Sequence, residues 1–142
     1  MHLEPSPTVE EIMFATARLQ EALVSIRNSV VLFTRTTAHP EGGAWFAIIE
    51  GNIASAHSHL SEIIDSLKDC NFKEAAGHAS IAKTLIFSCR YISEFNIQHR
   101  TMWLPDDYNT FMRDANDSIS QLNGHMMNLH LQIERKLNNN GF

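Results

Sequence analysis

Histidine is the residue best placed to do chemistry in this chain. There are eight, and His57 and His59 stand one residue apart in GNIASAHSHL, residues 51–60. Imidazole ligates metals and moves protons near neutral pH, so the spacing of these rings decides what they could do. Residues two apart on a helix differ by about 200° in direction, so His57 and His59 cannot share one ion. Only partners three or four apart share a face. By that rule Glu62 lies on the face of His59, and Glu74 on the face of His78. Heights can be counted from the break at Cys70-Asn71, at about 1.5 Å per residue. His59, His78 and His130 then fall together, roughly 10–15 Å from that end, and His57 and His125 at roughly 18–20 Å. An interhelical metal or cofactor site built from His59, Glu62, His78 and His130 is therefore one reading of the sequence. The paired Glu-x-x-His of ferritin-like carboxylate sites is absent, and so is HExxH. The other reading places these rings at the edge of a helical core, apolar side inward and polar edge in water. It expects no metal and no cofactor.

Other chemistries find less support. In GHASIAK, Lys83 stands five residues after His78 with no glycine following, unlike a histidine phosphotransfer bundle. Arg90 and His99 are separated by eight residues, too many for the Arg–His pairs of all-α nucleases. There is no glycine-rich phosphate loop and no GxSxG. The expectation is a protein that is not an enzyme.

Those residues must be held by helices. Proline occurs only at positions 5, 7, 40 and 105, so long helices are permitted between them. The apolar spacing asks for four, over about 8–38, 44–69, 72–98 and 106–137. Helix one starts with Thr8 as N-cap and reads Val9, Ile12, Thr16, Leu19, Leu23, Ile26, Val30, Phe33 on its inner face. Helix two reads Phe46, Ile49, Ile53, Ala56, Leu60, Ile63, Leu67, in strict steps of three and four. Helix three has two stripes: Ala75, Ala79, Ala82, Ile86, Cys89, and beside it Ile81, Leu85, Ile92, Phe95. So wide a face suits a helix with two neighbours. Helix four reads Tyr108, Met112, Ala115, Ile119, Leu122, Met126, Leu129, Ile133. Short connections between long helices predict an all-α, up-down-up-down four-helix bundle of antiparallel helices, one domain over residues 1–142. The ends of helices one and four are expected to overhang, which leaves a homo-oligomer open.

Composition narrows the partners. A net charge of −5 supplies no basic face for nucleic acid or anionic lipid. No apolar run reaches the length of a membrane span. The opening MHLEPSPTVEE has neither a basic n-region nor an apolar h-region, so no signal peptide is expected. Cys70 and Cys89, 19 residues apart, read as free thiols in a reducing cytoplasm.

Two surfaces suit a protein partner. The connections AHPEGGAWF and QHRTMWLPDDY fall at one end of the expected bundle and supply Trp45, Met102, Trp103 and Leu104, residue types common at interface centres. Apolar residues at that end also serve as a plug for the core. The second surface is acidic. Asp65 and Asp69 close helix two, where its dipole disfavours them, and they suit a basic partner.

Three segments carry a resemblance: LSEIIDSLKDCNF, IAKTLIFSCRYISEFN and LPDDYNTFMRDA. Over roughly residues 44–122 the chain resembles the small helical cytosolic immunity proteins that neutralise interbacterial secreted toxins. The resemblance implies a protein that works by occluding a toxin's active site. No functional residue of that family carries over.

Overall fold

A computed structural model describes the backbone of residues 7–36, 43–100 and 106–140, and the side-chain surroundings of 7–33, 46–90 and 110–139. The described residues form four helices and no strand: α1 (Val9–Thr36), α2 (Gly43–Lys68), α3 (Phe72–Arg100) and α4 (Asp106–Asn140). None of the described helices is long and apolar enough to cross a membrane.

Among the described side chains, α1, α2 and α4 bury the stripes that their spacing predicts. On α1, Ile12, Thr16, Leu19, Leu23 and Val30 are buried, with Val9, Ile26 and Phe33 packed at the edge. All seven expected positions of α2, from Phe46 to Leu67, are buried. Met112, Ala115, Ile119, Leu122, Met126, Leu129 and Ile133 do the same on α4. Thr8 caps α1, its Oγ1 accepting from the Glu11 N–H at 3.1 Å, which satisfies an amide that the helix itself cannot. Thr16, the polar member of the α1 stripe, turns its hydroxyl onto the Ile12 carbonyl at 2.7 Å, so its burial leaves no orphan donor. Asn123 is the exception on α4. Its amide nitrogen reaches the Met127 sulfur at 3.9 Å, while its Oδ1 is buried without a partner.

The α3 helix is central. It packs extensively against both α2 and α4, and α1 closes on α2 and less extensively on α4. Its buried face is the stripe Ala75, Ala79, Ala82, Ile86, Cys89, joined by Ala76. The second stripe departs from expectation, because Ile81 faces solvent and Leu85 is only half-buried. Small alanines let two neighbours approach one narrow face, so Ile81 is not needed inside. Ile92 and Phe95 lie outside the described side chains.

Contacts between α1 and α2 pair later residues of one with earlier residues of the other. Gln20 Nε2 donates to Ser61 Oγ at 2.7 Å. Arg27 lies 3.6 Å from Glu50. Phe33 meets Phe46 edge-on, with centroids 5.5 Å apart. Phe111 of α4 completes that cluster, stacked on Phe33 at 4.1 Å and edge-on to Phe46 at 5.7 Å. Three helices are thus tied by three phenylalanines, each pair adding to simple area burial.

Cys70 is exposed and Cys89 buried, and both are free thiols. Burial pushes the Cys89 thiol up from the ordinary 9.0 to about 11, partly offset by a hydrogen bond with Asn52. In the native protein a thiol reagent should modify Cys70 rapidly and Cys89 only on unfolding, which a thiol titration with and without denaturant reads directly. The raised thiol also gives a signed pH dependence. Below pH 9 the thiol is neutral whether folded or not; between pH 9 and 11 only the unfolded chain releases its proton. Stability therefore falls as pH rises through that window, by roughly 2 kcal/mol at pH 11 relative to a Cys89→Ala variant. Urea titrations of both proteins at pH 8 and pH 11 check the difference. Core packing sets a larger scale. Leu60→Ala, at a fully buried position, should cost about 2–5 kcal/mol in urea unfolding. Phe14→Ser, at an exposed one, should stay within about 0.5 kcal/mol.

Candidate functional site

Among the described residues, one cluster of polar groups sits across α2 and α3, near the turn that joins them. That turn is three residues long. Cys70 takes a left-handed conformation, φ 54°. Its N–H donates to the Leu67 carbonyl at 3.0 Å, and the Asn71 N–H donates to the Ser66 carbonyl at 2.8 Å. These are the two bonds of a Schellman ending, which satisfy the last carbonyls of α2. Asn71 then opens α3. Its Oδ1 accepts from the Glu74 N–H at 3.2 Å, and its Nδ2 donates to Glu74 Oε2 at 2.9 Å. This reciprocal cap fixes one carboxylate oxygen of Glu74. The other, Oε1, lies 3.8 Å from His78 Nε2, one turn along α3.

His78 is half-buried and uses its second nitrogen as well. His59 Nδ1 of α2 lies 2.9 Å from His78 Nδ1, with the two rings tilted by 37° and their centroids 5.2 Å apart. One proton must sit between those nitrogens, so the two tautomers are linked. If His78 donates from Nδ1, its Nε2 presents a lone pair toward Glu74. Glu62 of α2 is the third member. One ligand atom each from Glu62, Glu74 and His78 lies within 4.8 Å of the others. Both glutamates are exposed.

His130 stands apart from this group, on the seam between α3 and α4. Lys83 Nζ lies 3.1 Å from His130 Nδ1, and His130 Nε2 lies 3.1 Å from Glu134 Oε1. Lysine can only donate here, so Nδ1 accepts and the Nε2 proton faces the carboxylate. Height along the bundle correctly groups His59 with His78 but does not say on which side of α3 a ring emerges. His57 emerges on the α1 side of α2, lining a cavity of about 260 Å³ with Val24 and Arg27. His57 and His59 thus leave on opposite flanks of α2. His125 lines a cleft of about 340 Å³ between α1 and α4, over Leu19 and Leu122 and beside Arg18.

The partner-binding candidates divide. Asp65 and Asp69 are exposed. The side chains of Trp45, Met102, Trp103 and Leu104 lie outside the described residues. Two features escaped sequence reasoning: the Lys83–His130–Glu134 chain and the capping pair of Asn71 and Glu74. The spacing of His130 to Glu134, four residues on one helix, and of Asn71 to Glu74, three, are the signals that could have found them. No family model matches the sequence, and neither a curated protein nor a solved structure is detectably similar to it.

The turn itself gives a paired test. Cys70→Gly removes the left-handed penalty of a side chain and should raise stability by about 1 kcal/mol. Asn71→Ala removes the cap of α3 and should lower it by about 1 kcal/mol. Thermal or urea unfolding of the two variants checks both signs.

Proposed function

We propose that this chain is a non-enzymatic helical bundle that acts by protein–protein binding in the cytoplasm, in the manner of an immunity protein that occludes a toxin. The observation that carries the reading is the exposure of three large apolar side chains on α3 and α4. Phe87 is 54% exposed, Met127 50% and Leu131 56%. Met127 and Leu131 are four apart on α4 and so share a face. Lys83 meets His130 across the seam; Phe87 follows Lys83 by four residues, and Met127 precedes His130 by three.

In an up-down-up-down bundle, with each helix antiparallel to the next, those offsets bring Phe87 and Met127 to one level. The pairings 20 with 61, 27 with 50 and 33 with 46 support that arrangement, since one index rises as the other falls. Single exposed apolar residues are ordinary, whereas adjoining ones from two helices mark surfaces that a partner covers. Asp65 and Asp69, exposed and four apart, add a negative patch for a basic partner. Free thiols agree with a reducing compartment.

A Phe87→Glu/Met127→Glu variant tests the surface, with wild-type helicity by circular dichroism as the control for folding. Its affinity for a partner captured by the wild-type protein should fall at least tenfold, as for a burial hot spot. Equal affinity in the variant would remove this surface from consideration.

A further inference from the structure

We propose that Glu62, Glu74 and His78 form a binding site for a divalent first-row transition-metal ion, held between α2 and α3. This inference is independent of the protein-binding reading. Three observations carry it.

The first is the donor set. The ligand atoms of Glu62, Glu74 and His78 converge within 4.8 Å. At ordinary metal–ligand bond lengths, two donors on a tetrahedral ion stand about 3.4 Å apart. His78 Nε2 and Glu74 Oε1 are already 3.8 Å apart, and exposed carboxylates close the rest by rotation about their side-chain bonds. The second observation is the support behind each ligand. Asn71 ties Glu74 Oε2 at 2.9 Å and leaves Oε1 to the ion. His59 Nδ1, 2.9 Å from His78 Nδ1, accepts the proton of the tautomer whose Nε2 lone pair is free. Metal-bound histidines characteristically donate their other N–H to a hydrogen-bond acceptor, a part that the His59 nitrogen fills here. His59 is therefore a positioning residue, and Glu62, Glu74 and His78 are the ligands.

The third is the placement. Glu62 comes from α2, and Glu74 and His78 from α3, so the ion staples two helices beside their short turn. One imidazole and two carboxylates favour Zn²⁺ and its first-row neighbours over Mg²⁺ or Ca²⁺, which take all-oxygen shells. Three protein ligands on an exposed surface leave water to complete the coordination.

Calorimetric titration of the full-length, untagged protein with Zn²⁺ tests the site. One Zn²⁺ per chain is expected, with no comparable heat from Mg²⁺, and Zn²⁺ should raise the melting temperature. Glu62→Gln, Glu74→Gln and His78→Ala should each weaken binding at least tenfold and abolish the thermal shift. The two glutamates are exposed, so their variants report even if His78→Ala fails to fold. His59→Ala should weaken binding about tenfold while keeping the stoichiometry, and His59→Gln, which retains an acceptor, should recover most of the loss. His130→Ala should bind like the wild type. Failure of the wild type to take up Zn²⁺ would overturn the site, as would wild-type affinity in Glu62→Gln and Glu74→Gln. An equal loss in His130→Ala would show nonspecific histidine binding instead. Wild-type affinity in His59→Ala would overturn its positioning role.

Discussion

The turn Asp69-Cys70-Asn71 is the constraint on which the arrangement of α2 and α3 depends. Two helix caps are compressed into it: the last carbonyls of α2 are satisfied through Cys70 and Asn71, and the first amides of α3 through Asn71. Because Asn71 serves both helices, their mutual angle and register have little freedom. That register brings His59 against His78 and Cys89 within 3.9 Å of the Ile49 carbonyl. A one-residue insertion in the turn would separate the two caps that Asn71 now joins and shift α3 against α2. Every pairing along the interface would then change together.

The alanines of α3 do the complementary work. With Ala75, Ala79 and Ala82 buried, α3 presents a narrow, smooth face to two helices at once. Polar side chains then collect along the margins of that face, His59 with His78 on the α2 side and Lys83 with His130 on the α4 side. Both groups are half-buried and hydrogen-bonded, as a seam between low-dielectric and aqueous regions requires. The seam chemistry follows from the packing: small residues draw the backbones together, and the long polar side chains just outside them have only each other to meet.

How far the sequence foretells this differs from element to element. The α2 stripe is legible because every member from Phe46 to Leu67 is apolar and the steps never break. The α3 helix is harder, since Ile81 and Leu85 look as hydrophobic as the alanines that displace them. Which apolar stripe turns inward depends on how closely the neighbours approach, a property of the pair and not of one helix. The histidines show the same limit. Spacing along α2 separates His57 from His59 correctly, and height groups His59 with His78. It also groups His130 with them, because position around α3 is set only by packing. Phe111 is missed for a similar reason: beside the inward Met112 it reads as a flank, yet it stacks on Phe33.

The seam between α1 and α4 contains the cleft over Leu19 and Leu122 and a second one, of about 290 Å³, between Ile26, Val30 and Phe111. This is also the joint between the helices farthest apart in sequence. Leu19 and Leu122 are separated by about a hundred residues, whereas α2 and α3 are joined by a few. Loop-closure entropy makes the α2–α3 hairpin the cheapest pair to assemble and the α1–α4 joint the costliest. Among the described residues α1 and α4 are also the least extensively packed of the neighbouring helix pairs. The bundle is therefore built on a spine of α2 and α3, with its loosest joint between its first and last helices.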